Sequence, residues 1–329
     1  MRRIAPVLLT PISGLLLAAC SDAGREPTPT AVAPLEHPAF SVTSLGGPLP
    51  GLSSSQLAAF NRGKAVFQRA FTQGTGLGPI FNASSCAACH GAATGAIGGA
   101  GAQVEIHFTN LRSDGTCDPL TSKGGTVHQD SVTPALFQAT GLTSEPFPNE
   151  THQRATRSTP DLFGFGLLAE IPSQLLVDNP AFDPNDSNGD GISGRAQLLG
   201  GEIGRFGRKG NGPTLPLFNA GALLQEMGIT NASFMAENNV GGDPIPPGVD
   251  PTPEPEISSA DLDDLNAFVR FLAPPPPLPL TPQATTGQDL FASIGCTSCH
   301  TPSFRTGFQS GIRALSGKEV RAFTDLLLH

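Results

Sequence analysis

Two five-residue runs, Cys86-Ala87-Ala88-Cys89-His90 and Cys296-Thr297-Ser298-Cys299-His300, constrain this chain more than any other feature. Each run puts two thiols three residues apart and an imidazole directly after the second. That arrangement suits thioether bonds to the two vinyl groups on one edge of a porphyrin, with the histidine turning under the ring as the proximal iron ligand. Two other chemistries use paired cysteines. Two C-x-x-C pairs can build a four-cysteine zinc site, and a single pair can cycle as a redox disulfide. Neither requires a histidine after both pairs, and no thioredoxin-like βαβ pattern surrounds either one. The favoured reading is two covalently bound haem c groups held by Cys86, Cys89, Cys296 and Cys299, with His90 and His300 on iron.

Composition agrees with a chain that takes part of its core from a cofactor. Among 329 residues there are 39 Gly and 32 Pro, only 14% are charged, and the aromatic set is 20 Phe with no Trp or Tyr. So many helix breakers exclude a coiled coil or long-helix array. Plentiful loops and modest apolar content also leave a tightly packed 300-residue core short of material. A net charge of −9 is the wrong sign for binding nucleic acid. Cys117 is left over, and nothing in the sequence gives it a role.

The N-terminus speaks to compartment. Met1-Arg2-Arg3 precedes an apolar stretch from Ile4 to Leu17, then Ala18-Ala19-Cys20. A basic start, a short apolar segment and small residues describe an export signal, too short for a spanning helix. The Leu17-Ala18-Ala19-Cys20 ending resembles a bacterial lipoprotein box, so Cys20 is the expected lipidation site. Several acyl chains would anchor it firmly, each buried methylene contributing about 0.8 kcal/mol. The expected location is the periplasmic side of a membrane, with Ser21 favouring the outer one.

Residues 21–50 hold six prolines and read as an extended tether. From Ser53 the pattern turns helical, with Leu57, Phe60, Phe67 and Phe71 at helical spacing and an N-cap among Ser53 to Ser55. A second helix is predicted from Ser259 to Leu272, capped by Ser258, and a short strand is predicted where Gln103 to Phe108 alternate. Pro274 to Pro277, Pro279 and Pro282 end that helix and read as a linker. One short repeat stands out. Gly63-Lys64-Ala65-Val66-Phe67 and Gly287-Gln288-Asp289-Leu290-Phe291 each precede a cysteine motif, with Gly and Phe four apart.

Several stretches carry a wider resemblance: Leu49 to Lys64, Thr159 to Pro172, Asp186 to Arg195, Gly204 to Gly207, Met227 to Thr230, both cysteine motifs and Thr324 to His329. With them the chain resembles the bacterial di-haem oxidoreductase family, also described as peroxidases or thiol oxidoreductases and distantly related to di-haem cytochrome c peroxidases. Members normally continue past the T-D-L-L-L-H segment, so the resemblance implies a C-terminally shortened member. It also implies two cytochrome-c-like haem domains, one transferring electrons and one meeting peroxide. Peroxide cleavage needs an open sixth iron position, an acid–base group and a nearby cation. Glu170, in the L-A-E-I-P segment, is the candidate acid–base group, with a plain surface carboxylate as its rival reading. Arg157 resembles the Arg of the R-x-x-P-x-L element of haem peroxidases, where it pairs with a propionate; a generic surface Arg is the rival. Sixth-ligand candidates are Met227, Met235, His107, His128, His152 and His329. Related peroxidases commonly relay electrons through a Trp between the haems, which this chain lacks; Arg208 lies where the family often shows it.

Asp186, Asn188 and Asp190 with Gly191 match the first half of a calcium loop. Gln197 stands where a bidentate Glu is expected, which excludes a full EF-hand; related peroxidases hold Ca2+ between their haem domains, so the resemblance implies Ca2+ on Asp186, Asn188 and Asp190, with a metal-free acidic turn as the rival reading. The expected architecture is mainly α and loop-rich. Residues 1–20 form the signal, 21–50 the tether, 51–273 a first cytochrome-c-like domain with a Gly-rich insertion holding short β-strands, 274–282 a linker, and 283–329 a second, shortened domain. The expected activity is peroxidase-type electron transfer, with a small redox donor or acceptor protein and hydrogen peroxide as partners. The alternative is a pure electron carrier with two six-coordinate irons.

Overall fold

Gly63 decides how the first half of the chain packs. The computed structural model describes residues 45–91, 95–308 and 310–329, so the export segment, Cys20 and most of the tether lie outside the described residues. Helix α1 (Ser54–Gln68) begins at a complete capping box, in which Ser53 Oγ accepts from Gln56 N and Gln56 Oε1 accepts from Ser53 N. Its buried residues, Phe60, Gly63, Val66 and Phe67, fall on one face. That face crosses a helix far along the chain, Ser259–Phe271, whose Ser258 side chain caps it by accepting from Asp261 N. A Cβ on Gly63 would lie 1.8 Å from the carbonyl oxygen of Asp264. The two backbones therefore approach as only glycine permits. Phe268 fills the flanks of the crossing, with ring centroids 5.1 Å from Phe60 and 4.8 Å from Phe67.

Between these helices the chain is short-jointed. Helix α2 is Cys86–Cys89, α3 is Pro134–Thr140, α4 is Phe165–Ala169 and α5 is Ser173–Val177; α6 (Leu215–Met227) is capped by Thr214 and stopped by Gly228 at φ +62°. The late helix Ser259–Phe271 is α7, and α8 spans Pro282–Ser293. Strands occupy the insertion. Strand β1 (Ile80–Phe81) pairs with β5 (Ser131–Val132), and β2 (Val104–Leu111) centres an antiparallel sheet with β3 (Cys117–Asp118), β4 (Val127–His128) and β6 (Gln153–Ser158). Two hairpin-like pairs complete the set: β7 (Leu198–Leu199) with β8 (Glu202–Ile203), and β9 (Phe304–Arg305) with β10 (Glu319–Val320).

The mainly α expectation holds only in part, because four of the eight helices among the described residues run seven residues or fewer. Short β-strands in the insertion are as expected, and β2 extends beyond the alternating Gln103–Phe108 run. The end of the expected tether differs. Leu49 is buried, its N–H donates to Phe271 O at 2.8 Å, and Ala273 N donates to Gly47 O. Leu49 is apolar and arrives beside the unpaired carbonyls at the end of α7, which supply acceptors that a free tether would lack. The described residues form one compact unit. The proline stretch runs exposed over its surface, and Pro282 opens α8 at its first turn behind the Thr281 cap.

The repeat behaves unequally in its two copies. Helix α8 buries none of its residues, nothing lies within 4 Å of a Cβ on Gly287, and Leu290 and Ile294 are 56% and 65% exposed. Inside the first part of the unit, Glu145 is 1% exposed. Its carboxylate accepts from Gln129 N at 3.0 Å and Gly241 N at 3.3 Å, and burial still pushes it up to about 7.

Gly63→Ala should destabilise by about 1–3 kcal/mol through overpacking. Gly287→Ala should be neutral or stabilising by up to about 1 kcal/mol, since it meets open space in a helix; urea melts of both variants compare them. Glu145 stays protonated to higher pH folded than unfolded, so its contribution is complete below its ordinary 4.5 and fades as pH rises through 7. The melting temperature should fall across pH 4.5–7.5, and Glu145→Gln should flatten that fall.

Candidate cofactor-attachment sites

The first motif folds as a single turn. Ser85 Oγ caps it by accepting from Ala88 N at 3.2 Å, and His90 N donates to Cys86 O at 2.9 Å. Cys86 and Cys89 thus share one side of α2. His90 leaves the helix with φ −92° and ψ 95°. Its Nδ1 lies 3.0 Å from the carbonyl oxygen of Pro160. A carbonyl only accepts, so Nδ1 carries the hydrogen and Nε2 keeps its lone pair. Burial holds His90 below the usual imidazole range, which favours the neutral, ligating form. The Phe67 ring sits 6.1 Å from the imidazole.

The second motif repeats this with other parts. Cys296–Ser298 form a 3-10 turn, His300 N donates to Cys296 O at 2.9 Å, and His300 Nδ1 lies 3.0 Å from Phe323 O. Phe323 holds φ +48°, a sparsely populated backbone conformation for an aromatic residue, and presents that carbonyl to the imidazole. Phe291 stands 5.9 Å from His300, in the place Phe67 takes beside His90. The phenylalanine of each repeat therefore packs on the histidine of the motif that follows it.

These donor sets fit haem c better than the rivals. Among the described residues the two cysteine pairs do not converge; the metal-competent cluster that includes a motif thiol joins Cys299 to Asp325 and His329. A zinc site shared by all four motif cysteines is thereby excluded. Burial pushes Cys86 up to about 12 and Cys89 up to about 11, which suppresses the thiolate a cycling disulfide needs. Two thiols on one side of a turn, followed by an imidazole with Nε2 left free, are what thioether attachment and axial ligation require.

The other sequence candidates are dispersed. Glu170 closes α4, its side chain is 9% exposed, and its Oε1 lies 2.5 Å from Arg270 Nη2 of α7. Its carbonyl accepts from Gly307 N at 2.8 Å, tying α4 to the segment after β9. Arg157 is elsewhere, on β6 opposite Glu105, lining an open cleft of about 560 Å3 with Ile106, Phe147 and Arg154. Within the R-x-x-P-x-L element, Pro160 supplies the His90 acceptor and buried Leu162 donates its N–H to Gly98 O. Arg208 Nη2 donates to Ser158 O.

Among the sixth-ligand candidates, His128 has both ring nitrogens engaged, with Asp130 Oδ1 at 2.9 Å and Glu145 O at 2.7 Å. His107 Nε2 meets Glu105 Oε1 at 2.9 Å, His152 Nδ1 meets Leu111 O at 3.0 Å, and His329 Nε2 meets Asp325 Oδ2 at 2.7 Å. Met235 is exposed, and Met227 is buried in the apolar cluster against which Cys86 and Ala87 pack. In the Asp186–Asp190 loop the oxygens serve their own backbone: Asp186 accepts from Gly191 N, Asp190 from Ile192 N, Asn188 from Asp190 N, and Asp183 from Ser187 N and Asn188 N. Cys117 is exposed on β3, and Cys20 lies outside the described residues.

One group escaped the sequence reading. Beside Cys89, Glu226 and Glu105 form a carboxyl pair, with Asn82 Nδ2 donating to Glu226 at 2.9 Å and Arg208 Nε 3.8 Å from Glu105. Burial and the Glu105 charge raise Glu226. Burial works against ionised Glu105 too, but hydrogen bonds from His107 and Glu226 outweigh it and hold Glu105 low. One proton is thus held between two carboxylates. Strand alternation puts Glu105 and His107 on one face, a signal visible in sequence; Glu226, on a distant helix, gave none.

A family model described as "Di-haem oxidoreductase, putative peroxidase" matches residues 133–329, more than half of the chain and inclusive of the second cysteine motif. No curated protein and no solved structure matches the chain.

Proposed function

The chain belongs to the di-haem oxidoreductase family, and from that premise we propose that it is an exported, lipid-anchored di-haem c-type cytochrome that reduces hydrogen peroxide with electrons from a small donor protein. The observation that carries this reading is the backbone carbonyl on Nδ1 of each motif histidine, Pro160 O for His90 and Phe323 O for His300. Bound haem supplies a one-electron couple at each motif. Reducing one peroxide to two waters consumes two electrons and two protons, so two such couples match the electron demand.

The chain's own residues account for the rest. Pro160 and Phe323 fix the tautomer and aim of each imidazole, and a hydrogen-bonded Nδ1 makes Nε2 the stronger donor. Cys86, Cys89, Cys296 and Cys299 retain the cofactor covalently in a chain rich in loops. Glu226, sharing its proton with Glu105 beside the first motif, is a better-placed proton store than Glu170, whose carboxylate is committed to Arg270. Cys20 provides the membrane anchor. One observation favours a second reading, that of an electron carrier: Met227 is a buried thioether in the cluster lining the first motif, the kind of soft ligand that closes a sixth position.

Full-length protein made in a host with cytochrome maturation machinery should carry about 1.2 kDa of added mass, from roughly 616 Da per macrocycle. Cys86→Ala/Cys89→Ala should lose half of it, and unmodified wild-type mass would refute the proposal. A high-spin ferric signal that responds to peroxide supports the peroxidase; two low-spin signals blind to peroxide leave the electron carrier.

A further inference from the structure

We propose that the cleft along the outer edge of β6 binds a small organic carboxylate, with Arg154 and Arg157 holding the charged head and Phe147 and Ile106 the apolar body. The cleft, about 560 Å3 in volume, is lined by Ile106, Phe147 and the four consecutive residues Arg154, Ala155, Thr156 and Arg157. Neighbours on a strand point to opposite faces, so a cleft that touches four in a row runs along the strand's edge. Its volume lies in the range of small-molecule sites. Among the described residues β6 pairs with β2 and with no other strand. Just past its end Thr159 N donates to Gln103 O at 3.1 Å, and antiparallel alternation then turns the peptide groups of Arg157, Ala155 and Gln153 towards β2. Those of Arg154, Thr156 and Ser158 face outward. Two of the three outward carbonyls are already taken: Thr156 O accepts from Arg157 Nη1 at 3.1 Å, and Ser158 O accepts from Arg208 Nη2. The three outward N–H groups have no acceptor among the described residues.

The edge is therefore rich in donors, and its cations are unpaired. Neither Arg154 nor Arg157 forms an ion pair among the described residues, although the chain carries 28 acidic residues against 19 basic ones. Nearby arginines differ: Arg112 meets Asp118 at 2.8 Å, and Arg208 lies 3.8 Å from Glu105. Glu105 stands opposite Arg157 in the register but gives its Oε1 to His107 at 2.9 Å. The Arg154 guanidinium lies over the Phe147 ring, 3.5 Å from its centroid, and stacking of this kind leaves the N–H edge of an arginine available. Phe147 is itself fixed, stacked on buried His128 at 4.1 Å and edge-on to buried Phe108 at 5.6 Å.

A guanidinium fork beside outward amides asks for a head that only accepts, and a carboxylate accepts at both oxygens. The aromatic wall and Ile106 ask for an apolar body. An added peptide strand fits less well, because its own N–H groups meet carbonyls at Thr156 and Ser158 that are already bonded. A haem propionate is a different occupant for Arg157, and Arg154 lies outside the R-x-x-P-x-L element.

The test is calorimetric titration with benzoate of full-length protein from the maturation host, in which any propionates are already in place. Wild type should bind about one benzoate, and benzamide, which has the same ring and no charge, should bind about tenfold more weakly or worse. Arg154→Gln, at an exposed position, should weaken benzoate about tenfold or more with an unchanged melting temperature. Arg154→Lys should recover part of that loss. Arg112→Gln, which removes an arginine paired with Asp118 and absent from the cleft lining, should leave binding as it is. Three results would overturn the proposal: no benzoate binding by wild type, equal binding of benzamide, or binding that survives Arg154→Gln. Binding of an acidic hexapeptide in place of benzoate would overturn it too, and would mark the edge as a strand-docking site.

Discussion

The close crossing of α1 and α7 at Gly63 is the contact on which the described structure depends. Because the Gly63 Cα rests against the Asp264 carbonyl, Phe60, Phe67, Leu265 and Phe268 reach one another and close the main apolar cluster. The same α7 receives α4 through a second glycine, Gly166, whose Cβ would fall 1.8 Å from Arg270 O. It receives the incoming chain through Leu49. Ion pairs decorate this hub, Arg62 with Asp264 and Arg69 with Asp261, but both arginines are largely in solvent and such pairs contribute little. Backbone proximity and aromatic burial dominate, and Phe67, placed by that crossing, is the side chain that packs on His90.

The legible parts of the sequence were those written in side chains at short range. The helical spacing of Phe60 and Phe67, the serine caps of α1 and α7, the alternation that begins β2 and the repeat preceding each cysteine motif all mark elements that form. Long-range and main-chain features left no such mark. Strand β6 is mostly exposed and carries Gln153, Arg154 and Arg157 where apolar alternation would have announced it, so its pairing with β2 is carried by backbone hydrogen bonds. The carbonyls that orient His90 and His300 come from residues 70 and 23 positions away. The Glu105–Glu226 pair joins a strand to a helix that no pattern connects. Helices α4 and α5 are single turns, below the length at which periodicity speaks.

The two motifs reach the same histidine geometry from unequal surroundings. The first lies in an apolar cluster drawn from α1, α6 and α7. The second follows exposed groups, Leu290 on α8 and Ile294 just past its end, with Gly287 facing open space where Gly63 faces α7. Water access and dielectric around an axial histidine tune its redox centre. On the proposed function, matched ligands with unmatched exposure would set the two centres at different potentials and give electrons a direction of travel.

Orienting an imidazole from a peptide carbonyl has an evolutionary corollary. Every amino acid carries that oxygen, so point replacements at 160 or 323 can preserve the ring's aim whenever the local main-chain path survives. Inserting or deleting one residue there would swing the acceptor away altogether. Drift in this lineage should accordingly be permissive toward exchange of letters and intolerant of changes in spacing at those two places.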